Sequence, residues 1–175
     1  LSSVLPLSEF GPFEQHIKGS QIILVCREGI ETVSTYEEII KLDKSSAAID
    51  VHKLICAIDA GIVINPDGVK AQVEGSLMWG LSAALLEKMT LDNGHVAERN
   101  FDTYKWQNMT KMPEIEIHIV ENGIHPSGVG EPATCVVAPA IGNAIFNATG
   151  VRLRSLPFSR EELFEGLDKA ISLFG

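Results

Sequence analysis

The run Glu114-Ile-Glu-Ile-His-Ile-Val120 constrains the fold most, because its strict two-residue alternation suits a strand with one apolar and one polar face. Ile115, Ile117 and Ile119 make up the face that must find a core. The strand feeds Pro126-Ser-Gly-Val-Gly-Glu-Pro-Ala133, a turn of backbone-permissive residues in which Glu131 is the only ionisable group. Gly128 and Gly130 can adopt positive φ and let another surface approach the main chain, while Pro132 discourages helix at Glu131. Further on, Ile141, Ala144, Ile145 and Ala148 recur at helical spacing, with Pro139 suited to a first turn and Gly150 to a stop. Glu131 therefore stands just ahead of a helix, where the ionised carboxylate that a general base needs is favoured. By local pattern alone, an ordinary surface turn carrying a Glu accounts for the same residues.

The rest of the chain reads as strands broken by helices. Ile22 to Cys26 is a short buried strand, followed by a turn at Arg27-Glu-Gly29. Val33 to Leu42 and Ala47 to Asp59 form two long strands joined at Asp43-Lys-Ser-Ser46. After Asn65-Pro-Asp-Gly68, residues Val69 to about Glu87 carry a helical repeat: Gln72, Ser76, Trp79 and Ala83 form one stripe, with Val73, Leu77, Gly80 and Ala84 beside it. Gly75 and Gly80 each cost a helix about 1 kcal/mol relative to Ala, so another backbone or a bound molecule is expected to pack closely there, with helix-to-sheet packing the plainer account. Asn93-Gly94 predicts a partly exposed hairpin with arms Glu87–Leu91 and His95–Arg99. Phe101 to Pro113 has no clear period and is expected to cross the surface or cover a site, its aromatics Tyr104 and Trp106 serving as core anchors rather than ligand contacts. Val151 to Pro157 predicts a short edge strand. Ser159-Arg-Glu-Glu162 is a capping box opening a last helix with Leu163, Leu167, Ala170 and Phe174 on its buried face. The fold class is α+β, with mixed strands and about three helices.

Charge and cysteine usage narrow the function. Fourteen Lys plus Arg against 23 Asp plus Glu leave a net charge of -9, which opposes phosphate backbones and anionic lipid surfaces, so no nucleic-acid partner is expected. No apolar run reaches the roughly 18 residues of a membrane-spanning helix. A soluble chain of the bacterial cytoplasm or periplasm is expected, with export unreadable from a start at Leu1. Cys26, Cys56 and Cys135 lie far apart in apolar surroundings and read as buried thiols, and neither they nor the five His show the short spacing of zinc or iron–sulfur ligands. A metal held directly by side chains is not expected.

Several separated motifs nonetheless occur together: Cys56-Ala-Ile-Asp-Ala-Gly61, Ile64-Asn-Pro66, Ala71-Gln-Val-Glu-Gly75, Trp79-Gly-Leu-Ser-Ala83 and Gly128-Val-Gly-Glu-Pro132. In order and spacing they resemble the C-terminal part of the molybdopterin-binding large subunit of the xanthine dehydrogenase/aldehyde oxidoreductase superfamily. The runs Asn65–Gly68, Gly80–Ala84, Val120-Glu121 and Leu156-Pro157 are most similar to the isoquinoline 1-oxidoreductase β subunit. The match runs from about Leu54 to Phe158. It divides the chain into a weakly matched segment of N-terminal strands and connections, 1–46, and a molybdopterin-binding C-terminal lobe, 47–175.

The resemblance implies a molybdenum hydroxylase that oxidises an aldehyde or N-heterocycle with water as the oxygen source. It makes Glu131 the base beside molybdenum, taking the proton of the attacking hydroxyl. Gln72 becomes a molybdopterin contact, and Gly128, Val129 and Gly130 a close main-chain wall. A molybdopterin-type cofactor, the remainder of the large subunit and an iron–sulfur electron-transfer subunit or domain are implied as partners. The alternative is a catalytically silent structural fragment of the same fold without bound cofactor. A carboxylate-based hydrolase pairing Glu131 with a remote His is a third reading, which no local spacing supports. In the isolated chain, a vacant cleft is expected between the Gly128–Pro132 turn and the Val69–Leu86 helix.

Overall fold

The computed structural model describes residues 21–23, 40–43, 48–120 and 125–174. Its centre is a three-stranded sheet in the order β1 (Gln21–Ile23), β4 (Lys53–Asp59), β7 (Glu114–Val120). β1 runs antiparallel to β4, whereas β7 runs parallel to it, in the register Leu54↔Ile115, Cys56↔Ile117 and Ile58↔Ile119. That register puts the alternating isoleucines of β7 beside the apolar face of β4, so the period-2 pattern is satisfied by a shared core. A parallel pair needs a long crossover, and residues 60–113 supply it.

The crossover begins with α1, Pro66–Leu85. Asn65 caps it, its Oδ1 accepting from the Gly68 N–H at 3.1 Å, and Pro66 occupies the first turn, where its missing N–H costs nothing. The helix thus starts three residues before the predicted Val69. α2 (Thr134–Thr149) packs along α1, and α3 (Arg160–Phe174) closes the described chain, giving the expected three α-helices among the described residues. Val73, Leu77, Leu81 and Ala84 of α1 meet Val137, Ile141, Ala144 and Ile145 of α2, Leu54, Cys56 and Ile58 of β4, and Leu163 of α3 in one core. Leu77, Ile145 and Leu163 are wholly buried, and each such side chain contributes roughly 1.5–3 kcal/mol.

Several local expectations change in the tertiary setting. The predicted strand Ala47 to Asp59 is broken at His52: β3 (Ala48–Val51) pairs with β2 (Ile40–Asp43), while β4 joins the central sheet. The chain changes sheets there, and the His52 carbonyl is taken up by the Glu114 N–H at 2.8 Å. The hairpin turn itself, the stretches 24–39 and 121–124 and the first 20 residues lie outside the described residues, as does Cys26. α2 begins at Thr134, so Pro139 lies inside the helix rather than in its first turn. Gly150 ends that helix with φ 73°, as its position suggested, although Ala148 is exposed. Residues 151–157 run as irregular chain instead of an edge strand, yet Val151 and Leu153 are buried. The Asn93-Gly94 turn has φ of 49° and 82° at its two centres, the left-handed pair a two-residue hairpin requires, but its arms are only β5 (Leu91–Asp92) and β6 (His95–Val96). Ser159 caps α3 by accepting from the Glu162 N–H at 3.0 Å. The Glu162 carboxylate, however, turns to Ser155 Oγ rather than completing the box.

Trp106 is not a core anchor. It is 44% exposed and forms an edge-to-face pair with Phe101, itself 78% exposed, their centroids 5.4 Å apart. With Tyr104, Leu85, Leu156 and Phe158 they border a cavity of about 1090 Å³ at the C-terminal end of α1. The thiols also divide. Cys56 is buried, whereas Cys135, on the outer side of the first turn of α2, is exposed. Burial pushes the Cys56 thiol up to about 11.

Candidate functional site at the glycine loop

The loop after β7 returns to the end of β4, where the Ser127 N–H donates to the Ala60 carbonyl at 2.9 Å. Nearby, Gly61 has φ 72° and gives its N–H to Asp59 Oδ1 at 3.0 Å, turning the chain toward α1. The loop and the first half of α1 thus leave the same end of the parallel pair β4–β7. Such an end of a sheet is where loops collect to make sites.

One stripe of α1 meets this loop. Gln72, Ser76 and Gly80 follow at four-residue intervals, so they stand one turn apart on one face. A Cβ added to Gly130 would stand 3.8 Å from Gln72 Oε1, an ordinary van der Waals separation, so the Gln72 side chain lies over the Gly130 backbone. Ser76 Oγ donates to the Gly130 carbonyl, and Thr134 Oγ1 donates to the Ser76 carbonyl at 3.1 Å. One turn on, a Cβ at Gly80 would lie 2.6 Å from Val137 Cγ2 and 2.8 Å from the Thr134 carbonyl oxygen. Gly80 therefore lets another backbone approach, as expected, but that backbone belongs to α2 rather than to the sheet. Gly75 faces open space, with nothing within 4 Å of an added Cβ.

Glu131 is exposed, and its carbonyl accepts from the Thr134 N–H at 3.0 Å in the turn that opens α2. Gly128 and Gly130 do not take positive φ, so conformational need does not explain them. An added Cβ at Gly128 would touch nothing within 4 Å. Val129, half-buried, packs against the core and anchors the loop between them. Thus Gln72, Gly130 and Glu131 come together, with Gly128 and Val129 on the same loop. The turn is stitched to α1 by hydrogen bonds instead of being parted from it by a cleft, and the cavity noted above lies at the other end of the helix. Ser76 and Thr134 were not singled out as site residues by sequence reasoning. The usable signal was a hydroxyl spaced four residues after Gln72 and four before Gly80.

A second polar group of residues lies on the exposed side of β4 and β7. Lys53 Nζ stands 2.9 Å from Glu116 Oε2 and 3.0 Å from Glu114 Oε1, and His118 Nε2 is 2.7 Å from Glu116 Oε1. The Lys53 bond holds the Glu116 carboxyl below its usual range, and Glu116 and then Glu114 raise Lys53 in turn. Among the described residues no cluster of three or more His, Cys, Asp or Glu is arranged to hold a metal ion, and no helix is long and apolar enough to cross a membrane.

Comparison with known proteins matches residues 35–113 to the molybdopterin cofactor-binding domain family. A membrane-bound aldehyde dehydrogenase (pyrroloquinoline-quinone) of Gluconacetobacter polyoxogenes is 44% identical over 73% of this chain and 17% of its own length. The isoquinoline 1-oxidoreductase β subunit of Brevundimonas diminuta is 38% identical over 67% of this chain and 15% of its own. The aldehyde oxidoreductase of Desulfovibrio gigas superposes with a TM-score of 0.65 at 26% identity, covering 74% of this chain and 15% of that one. The chain therefore spans less than a fifth of the length of the relatives it matches. With matched motifs, fold and relatives in agreement, the chain belongs to the xanthine dehydrogenase/aldehyde oxidoreductase superfamily, as part of its molybdopterin-binding large subunit.

Proposed function

We propose that this chain forms one wall of the active site in a molybdenum hydroxylase acting on an aldehyde or N-heterocycle, with Glu131 as the base. The observation that carries the reading is the meeting of Gln72 with the Gly130 backbone beside an exposed Glu131 carboxylate. The donor set suits a molybdopterin cofactor. The Gln72 amide offers both a donor and an acceptor, and the open space over Gly128 admits a group close to the main chain. When bound, that cofactor supplies the two-electron redox chemistry and the Lewis acid.

This chain's own residues then bind, orient and move a proton. Gln72 holds the cofactor by its amide, and residues Gly128 to Gly130 form the wall against it. Glu131 takes the proton from the water-derived hydroxyl that attacks the substrate carbon, which its carboxylate oxygens can do only when ionised. In the same reading, residues 47–175 are the cofactor-binding lobe, and 1–46 its N-terminal strands and connection. Electrons leave through an iron–sulfur subunit or domain, and the remainder of the large subunit supplies the other cofactor contacts. Relatives several times longer than this chain support that division and favour an inactive isolated chain.

The test is Glu131→Gln in the complete enzyme. Molybdenum content should be retained while turnover falls by about 10²–10⁴-fold, the scale of a removed general base. Near-normal turnover with bound metal overturns the assignment. Because the Gluconacetobacter relative is named for a quinone, molybdenum and quinone are measured in the same preparation, and quinone without molybdenum would reject the cofactor.

A further inference from the structure

We infer that Ser76 is a positioning residue that fixes the Glu131 loop relative to Gln72, an inference that rests on the roles proposed above for those two residues. A serine inside a helix ordinarily returns its hydroxyl to a carbonyl one turn back on the same helix. Ser76 instead donates across to the Gly130 carbonyl, and it does so from a buried position, 4% exposed. Its own carbonyl accepts a further bond from Thr134 Oγ1 at 3.1 Å. The two bonds bracket Glu131, since one anchors the residue before it and the other the residue three beyond it.

Gln72 is one helical turn from Ser76, and its amide oxygen already lies over Gly130. The placement of the base relative to the cofactor-side amide thereby depends on one residue of α1, through its hydroxyl and its carbonyl. Gly80, one turn the other way, lets Thr134 and Val137 come close enough for the second bond to form. Thr134 is held from both sides, its N–H by the Glu131 carbonyl and its hydroxyl by Ser76. Without the Ser76 hydroxyl, the Gly130 carbonyl loses this partner in a part-buried site, and the loop before Glu131 loosens while the Thr134 bond to the Ser76 carbonyl remains.

Amide hydrogen exchange of the 175-residue chain reads this directly and needs no cofactor. Ser76→Ala should raise exchange of the Thr134 and Cys135 amides, whose N–H groups bond to the Glu131 and Pro132 carbonyls, by about 5- to 100-fold, while β4 and the core of α1 keep wild-type protection. Ser76→Thr and Ser76→Val, which share a shape and differ in the hydroxyl, provide the control: Thr should restore slow loop exchange and Val should not. Unchanged loop exchange in Ser76→Ala, or an equal rise across all core amides, overturns the inference. So does equal behaviour of the Thr and Val variants. In the complete enzyme, Ser76→Ala should lower kcat with molybdenum retained, and Ser76→Thr should recover it. If Ser76→Ala loosens the loop while Glu131→Gln keeps full turnover, the positioning role stands and the base assignment alone falls.

Discussion

Two glycines on one helix should respond to the same substitution with opposite signs. Gly75→Ala adds a methyl group where nothing lies within 4 Å, so only helix propensity changes and the chain gains about 1 kcal/mol. Gly80→Ala gains the same propensity, but its Cβ would stand 2.6 Å from Val137 Cγ2 and 2.8 Å from the Thr134 carbonyl oxygen. Val137 is wholly buried and the oxygen is backbone, so neither can turn aside and the helices must separate. Overpacking at the upper end of its usual range costs about 3 kcal/mol, and the propensity gain reduces the net loss to about 2 kcal/mol. For a chain of this length the pair should move Tm by about 2–4 °C upward and about 4–8 °C downward. Thermal unfolding of both variants, followed by circular dichroism, decides the matter. A Gly80→Ala variant as stable as Gly75→Ala would show that α1 and α2 are not held at the separation that the Ser76–Thr134 bond requires.

Other consequences are equally direct. Gln72→Leu in the complete enzyme should weaken molybdopterin retention by about 1–3 kcal/mol, read as cofactor lost on dialysis, and unchanged content would count against the contact. In a Cys26→Ser background, Cys135 should react with a thiol reagent at once and Cys56 only on unfolding, because Cys135 is exposed while burial raises Cys56 to about 11. Glu116 has a lowered folded pKa, so the unfolded chain takes up its proton first as the solution is acidified. Its contribution to stability is complete above the ordinary carboxylate value of 4.5 and is lost as pH falls through the lowered one. At 41% side-chain exposure solvent limits the effect to about 0.2–1 kcal/mol, and Glu116→Gln should flatten acid unfolding by that amount. The 175-residue chain alone should fold yet show neither stoichiometric molybdenum nor turnover of aldehydes with an artificial electron acceptor. Steady activity from it would overturn its reading as part of a larger site.

Local periodicity carried much of the architecture, because strands and helices advertise themselves in the positions of their own apolar residues. The alternation of Ile115, Ile117 and Ile119 specified β7 and its buried side, Asn93-Gly94 specified a hairpin turn, and Gly150 specified a helix end. Spacing among distant motifs carried the family. What pattern alone did not decide is which surfaces meet. The α2 start depends on the Thr134 and Glu131 turn and on packing against Gly80, which outweigh the local preference of Pro139 for a first turn. The exposure of Cys135, Phe101 and Trp106 likewise depends on neighbours remote in sequence, since an apolar flank looks the same in a core and on an outer face. The glycines show the division most clearly. Gly75 and Gly80 are the same residue in the same helix, but only the fold brings α2 to one and leaves the other open. For the candidate site, Gln72 and Glu131 were legible from their motifs, whereas the Ser76 bond that joins their two segments exists only once the chain has folded and brought residues 54 positions apart within reach.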